Sequence, residues 1–155
     1  MHLNITPEGI LQFDDAKLAF RNFSGRGDEF NREGDRNFAI VIDDQEIADT
    51  LIEEGWNVKI KPPRVEGEEP FIFLKVKVKF GGFRDPNINL ISGNARVRLT
   101  EDTVGCLDDA DILYADLDVR PYNWTKGRDS GRSAYLQGAH IEQRVDRFTA
   151  RYMED

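Results

Sequence analysis

The chain has 155 residues, of which 39% are hydrophobic and 32% charged, and its net charge is -8. Ten Phe, four Tyr, two Trp and several β-branched runs exclude a disordered chain, and a single cysteine excludes an intrachain disulfide. No apolar run approaches the roughly 18 residues of a membrane span, and the acidic balance at first argues against nucleic acid as a partner.

The length predicts one domain, 1–155, closing on a short acidic segment at 152–155. Met1–Ile10 has no basic stretch followed by an apolar one, so no secretory signal is expected. With the lone cysteine this points to the cytoplasm.

Leu18–Phe23 reads as a strand. Arg21–Phe38 holds three glycines and mixed charge without a phosphate-loop Gly-Lys-Ser/Thr, and predicts a mobile loop carrying Arg26, Phe30, Arg32 and Arg36. Phe38–Ile42 predicts a short buried strand. Asp43 and Glu46 form a capping box for a helix with Ile47, Ala48, Leu51 and Ile52 on one face, and Gly55 stands where a left-handed C-cap is wanted.

Trp56–Lys61 alternates, with Trp56, Val58 and Ile60 on one side and Lys59 and Lys61 on the other. Pro62-Pro63 and 66–70 form a loop, so 56–61 should pair antiparallel with 71–80. In 71–80, Ile72, Leu74, Val76, Val78 and Phe80 make a core face, while Phe71, Phe73, Lys75, Lys77 and Lys79 point outward. Ala95–Leu99 places Arg96 and Arg98 together. Ile112–Tyr122 turns Leu113, Ala115, Leu117 and Val119 inward and Tyr114, Asp116, Asp118, Arg120 and Tyr122 outward. Ser133–Gln137 and His140–Val145 predict a final hairpin around Gly138, and Arg147–Met153 a short helical piece. The expected fold is mainly β, an OB-fold-like small barrel, closed or partly closed, with one inserted helix and long loops. A β-sandwich is the alternative.

Segment charges change the first reading. Residues 1–55 carry -8, 56–98 carry +5, 99–119 carry -7 and 120–151 carry +4. A basic groove can therefore exist if the fold brings 56–98 beside 120–151. Binding of single-stranded nucleic acid needs cations along the backbone and rings on which bases stack. Phe71, Phe73, Lys75, Lys77 and Lys79 supply both, and Lys59, Lys61, Arg96 and Arg98 would widen the patch. An ordinary solvated lysine face, as edge strands often carry, is the plain alternative. In 120–136, Tyr122, Trp124 and Tyr135 are interleaved with Arg120, Lys126, Arg128 and Arg132, and Gly127 and Gly131 permit close backbone approach. The plain alternative there is a hairpin whose rings pack beneath it.

Two other classes fit parts of the sequence. An acidic interaction or inhibitor module, mimicking nucleic-acid charge, would follow from the net -8. A Mg²⁺-dependent nuclease would use Asp116 and Asp118, although Arg120 lies on the same face. Asp108-Asp-Ala-Asp111 reads as a solvated turn, and Cys106 as a small buried thiol. No catalytic residue, metal site or cofactor is expected.

The block Ala115-Asp-Leu-Asp-Val-Arg-Pro-Tyr-Asn-Trp124, then Gly127, Gly131 and Ser133-Ala-Tyr-Leu136, resembles phage-encoded single-stranded DNA-binding proteins of the OB-fold type. Strand 38–42 with its helix and basic strand 71–80 agree in order, so the resemblance spans about residues 15–145. It implies a groove that covers ssDNA without sequence preference in phage replication and recombination, in the host cytoplasm. It also supports Arg120, Tyr122, Trp124 and Tyr135 as groove residues. Replication or recombination proteins are the implied partners. No membrane partner is expected, and a homodimer is compatible with the pattern. Many such proteins end in a long acidic tail that recruits partners. Here only Met153-Glu-Asp155 is acidic, which leaves the block at 101–118 as a substitute.

Overall fold

The structure, a computed structural model, describes residues 1–145. The expected helical piece at Arg147–Met153 and the acidic segment 152–155 lie outside these residues. In chain order the elements are β1 (His2–Ile5), β2 (Leu11–Asp14), β3 (Lys17–Asn22), β4 (Arg36–Val41), α1 (Gln45–Glu53), β5 (Val58–Lys61), β6 (Phe71–Val78), β7 (Asn87–Ser92), β8 (Ala95–Leu99), a 3-10 helix (Val104–Asp108), β9 (Ile112–Lys126) and β10 (Asp129–Gln143).

The ten strands form one sheet along the path β1-β2-β9-β10-β6-β4-β3, with β5 on β6 and β7 joining β10 to β8. The path does not close, so the mainly β, OB-like architecture is an open barrel rather than a sealed one. The hub is β10. It pairs antiparallel with β9 along its whole length, parallel with β7 through 138–143, and parallel with β6 at Ala134↔Val76 and Tyr135↔Lys77. That last contact sets the two basic blocks side by side.

Period-two burial shapes the core. Ile72, Leu74, Val76 and Val78 of β6 are buried, as are Ala115, Leu117 and Val119 of β9. Each large aliphatic side chain so buried contributes about 1.5–3 kcal/mol of transfer free energy. Phe23 stacks on Phe38 at 4.9 Å. Ala48 and Leu51 of α1 close the core, and Trp56 joins it with 5% exposure.

Several expectations need correction. The helix is capped by Asp44, whose carboxylate accepts from the amides of Glu46 and Ile47, not by Asp43. Strand β5 begins at Val58, because Trp56 turns into the core ahead of it. Strand β6 stops at Val78, two residues short, which leaves Lys79 just beyond its end. Leu113 is exposed rather than inward. No hairpin forms around Gly138: β10 runs straight through, with a bulge between Leu136 and Gly138 that absorbs one extra residue. The only turn between β9 and β10 is Gly127-Arg128, where Gly127 takes φ +63° as the first residue of a two-residue hairpin turn. The sequence reading missed β1, β2 and β7.

Candidate nucleic-acid interface

The outer face of β6 is a row of Phe71, Phe73, Lys75 and Lys77. Register adds cations beside the rings: Lys59 lies opposite Phe73 and Lys61 opposite Phe71. The Lys61 ammonium stands 5.9 Å from the Phe73 ring. Such contacts show that the rings present their electron-rich faces where cations gather. Where β10 meets β6, Tyr135 sits beside Lys77. Its ring has the Lys77 ammonium at 5.8 Å and the Arg120 guanidinium at 4.9 Å. Tyr122 meets it edge-on at 5.9 Å.

Beyond Tyr135 the ends of β9 and β10 pair only with each other, so Tyr122–Lys126 and Asp129–Ser133 form a two-stranded arm. Arg120, Tyr122, Trp124 and Lys126 alternate onto one face. Trp124 lies across Gly131. A Cβ at Gly131 would come 2.5 Å from the indole, so only glycine lets the ring lie there. Arg132 reaches toward α1 and lines the groove beside Tyr122, Trp124 and Tyr135. It donates to the Glu54 carbonyl at the end of α1 and to Asn123 Oδ1 at 2.8 Å, and it lies 5.5 Å over Trp56. Arg132 fastens the arm to the body.

Three grooves meet at Lys75. One of about 930 Å³ runs between Trp56, Lys59 and the arm residues Tyr122, Trp124 and Tyr135. A second, about 390 Å³, is lined by Arg36, Asn37, Lys77, Lys79 and Tyr135. A third, about 710 Å³, runs past Phe73 and Lys61 to the loop at 26–31. The result is a continuous band of rings and ammonium groups across β5, β6 and β10.

Not every expected residue joins it. Arg96 and Arg98 are on β8, which pairs only with β7, and they line none of the three grooves. Lys126 and Arg128 stand at the tip of the arm, outside the grooves but on the same projection. In the 21–38 loop, Arg36 donates to the Phe23 carbonyl, and Arg26 donates to the Arg21 carbonyl and lies 3.9 Å from Asp108. That segment is held by internal hydrogen bonds rather than hanging free.

The acidic residues gather elsewhere. Asp108 is not a solvated carboxylate: it accepts from the amides of Phe23 (2.6 Å) and Ser24 (3.3 Å) and from the Ser24 hydroxyl (2.6 Å). Asp116 accepts from the Asp15 amide at 3.0 Å. Partial burial, then the charges of Asp14 and Asp116, push the Asp118 carboxyl above its ordinary range. A hydrogen bond to Asp116, followed by desolvation and nearby carboxylates, raises the Tyr114 phenol. Among the described residues no three His, Cys, Asp or Glu side chains converge on a common metal position. Cys106, expected to be buried, is exposed on the 3-10 turn. Desolvation of its sulfur and the Asp108 charge raise the thiol pKa, so it holds its proton more firmly than a free thiol.

Residues 4–154 match the family described as "Putative phage ssDNA-binding domain". The chain belongs to this family of phage single-stranded DNA-binding domains. The fold is also similar to the single-stranded DNA-binding protein from bacteriophage Enc34, with TM-score 0.56 and 10% identity over 94% of this chain and 91% of that one. A solved complex of the Enc34 protein with ssDNA gives TM-score 0.55 and 12% identity, over 93% and 90% of the two chains. Its C-terminal truncation gives 0.54 and 13%, over 90% and 87%. At these identities the likeness is one of fold. No protein of curated function matches in sequence. No described helix is long and apolar enough to cross a membrane.

For this phage ssDNA-binding domain, the sequence reading missed Phe20. Its ring packs edge-on against Phe71 (5.8 Å) and Phe73 (5.5 Å), with the Lys61 ammonium at 5.2 Å. The backbone of Phe20 takes φ +50°, at an irregularity between Ala19 and Asn22 in the β3–β4 ladder. A bulky residue in this region bears about 1–3 kcal/mol of strain. Nothing in the run Lys17-Leu-Ala-Phe-Arg-Asn signals it.

Proposed function

We propose that this chain covers ssDNA without sequence preference, along the band that runs from Phe71, Phe73, Lys59 and Lys61 across Lys75, Lys77 and Lys79 to Arg120, Tyr135, Tyr122 and Trp124. Bases stack on the rings, and phosphates lie against the Lys and Arg side chains. Lys126 and Arg128 extend the contact along the arm. Arg132 holds the arm in position and faces the groove beside it. Arg96 and Arg98 contribute at most at long range. The protein acts by binding, without catalysing a reaction, in phage replication and recombination within the host cytoplasm.

The observation that carries this reading is the join of β6 and β10 at Tyr135↔Lys77, which fuses a lysine-aromatic strand and an aromatic arm into one surface. No hydrogen-bonding pocket is needed, because every base offers a stacking face. The test is fluorescence anisotropy with labelled oligo-dT and a mixed-sequence oligonucleotide of equal length, at two salt concentrations. Affinities should agree within a few-fold. Log K should fall with log salt by about 0.7 per phosphate contacted. Failure to bind, or binding indifferent to salt, overturns the proposal.

A further inference from the structure

The loop between β3 and β4 presents an aromatic side chain that stands almost fully exposed among the described residues. Phe30 is 93% exposed. Yet the loop around it is closely fastened. Asp28 Oδ1 accepts from the amides of Phe30 and Asn31, both at 2.7 Å. The Asn31 side chain donates to the carbonyls of Arg26 (2.8 Å), Arg32 (3.1 Å) and Asp35 (2.9 Å), and accepts from Asn37 at 2.9 Å. The Gly27 amide donates to the Glu33 carboxylate at 2.7 Å. Burying Phe30 would be favourable, and this loop instead holds it out in water.

Phe30 and Phe20 line the same groove, with Phe73 and the cations Arg26, Lys61 and Lys75 also in its walls. Phe20 is itself 58% exposed and held in a left-handed backbone conformation. Two exposed aromatic residues, Phe20 in a left-handed backbone conformation and Phe30 on a closely hydrogen-bonded loop, thus line one groove with positive charge beside it. Strain retained by surrounding structure is an established mark of ligand contact. Phe73 and Lys75 belong also to the band described above, so the groove continues it.

We infer that the Phe20–Phe30 groove is a separate subsite that takes an unpaired base of the bound strand between or against these rings, its phosphate lying toward Lys61 and Arg26. This inference rests on the ssDNA reading and adds residues from β3 and its following loop to it.

The test measures oligo-dT binding by anisotropy for Phe30→Ala, Phe20→Gly and the double change Lys75→Glu/Lys77→Glu. Phe30 stands almost fully exposed, so Phe30→Ala should keep the thermal midpoint of the parent while weakening binding about five- to one-hundred-fold. Glycine adopts positive φ freely, so Phe20→Gly should weaken binding to a similar extent. An oligonucleotide carrying 5-iododeoxyuridine, irradiated in the complex, should crosslink to Phe20 or Phe30. Parental affinity in Phe30→Ala, or crosslinks confined to Tyr122, Trp124 and Tyr135, overturns the subsite. If Lys75→Glu/Lys77→Glu still loses binding, the main band stands without the subsite. If that variant also binds normally, the underlying reading has failed with it.

Discussion

The two halves of β9 share one strand face and carry opposite character. Toward β2 the face shows Tyr114, Asp116 and Asp118, and the charge of Asp14 acts on both the Tyr114 phenol and the Asp118 carboxyl. From Arg120 onward the same face shows Arg120, Tyr122, Trp124 and Lys126. The switch takes two residues. A net charge of -8 therefore describes neither half. Exposed charges farther apart than about 10 Å are largely screened at 0.1 M salt, so the far ends of the two halves act independently, while Asp118 and Arg120, about 7 Å apart along the strand, do not. In the proposed binding mode the acidic half repels the phosphate chain, and the basic half, joined to β6 through Tyr135, is left as the track. The carboxylates thus help to bound the site.

The largest effect is expected where the contrast is erased by charge. Lys75→Glu/Lys77→Glu makes β6 resemble the acidic half of β9. Both side chains are solvated, so the fold should persist. Affinity for oligo-dT should fall about a hundredfold or more at low salt, and the log–log salt slope should become shallower by about 1.4 for two lost phosphate contacts. Titration at several salt concentrations checks both. If the slope does not change, these lysines are not on the track.

Next comes the arm. Trp124→Ala should cost about 1–3 kcal/mol of binding if one base stacks there, with circular dichroism and thermal melting unchanged because the arm adds little to the core. Gly131→Ala should act through the same ring. The new methyl cannot coexist with the indole in place, so the indole must move. A shift in tryptophan emission, with a few-fold weaker binding than the parent, is the expected pair of readings. An unshifted spectrum with parental affinity would remove Trp124 from the site.

The smallest effect on binding comes from the acidic half. The Asp118 carboxyl titrates higher in the folded chain than in the unfolded one, through burial and then the charges of Asp14 and Asp116. Between its ordinary and raised pKa values the folded state holds more protons, so this group's contribution to stability declines as pH rises through that window. Asp118→Asn should therefore raise the melting temperature at neutral pH. The advantage should fade as pH falls through the ordinary carboxylate range, and ssDNA affinity should rise by no more than about a few-fold, because one carboxylate beside Arg120 is removed from outside the proposed track. Melting curves across pH, beside one binding isotherm, decide it.

How much of this was legible in the sequence depends on the kind of signal. The partition of 71–78 into buried and outward sets was readable residue by residue, because a strand's period of two converts position directly into face. The antiparallel pairing of β5 with β6 followed from the proline-rich connection between them. Gly138 misled, because a glycine flanked by alternating runs reads as a turn. Only continuous pairing against β9 shows that it sits at a bulge. Arg96 and Arg98 matched the pattern but line none of the three grooves. Strand β7 joins the far end of β10 and carries β8 away from β6. Arg132 was expected beside DNA, and the structure adds that it ties the arm to the end of α1.

The sequence by itself determined the outward chemistry of β6 and of the arm and the charge blocks, because these depend on local order and periodicity alone. Tertiary structure decided which basic groups share a surface, and it did so through two residue pairs between β6 and β10. It also decided that Phe20 would turn outward against its backbone preference. Contacts between residues tens of positions apart, and strain that only such contacts can hold, leave no periodic trace along the chain. The -8 of the whole chain was a sum over regions that the fold separates.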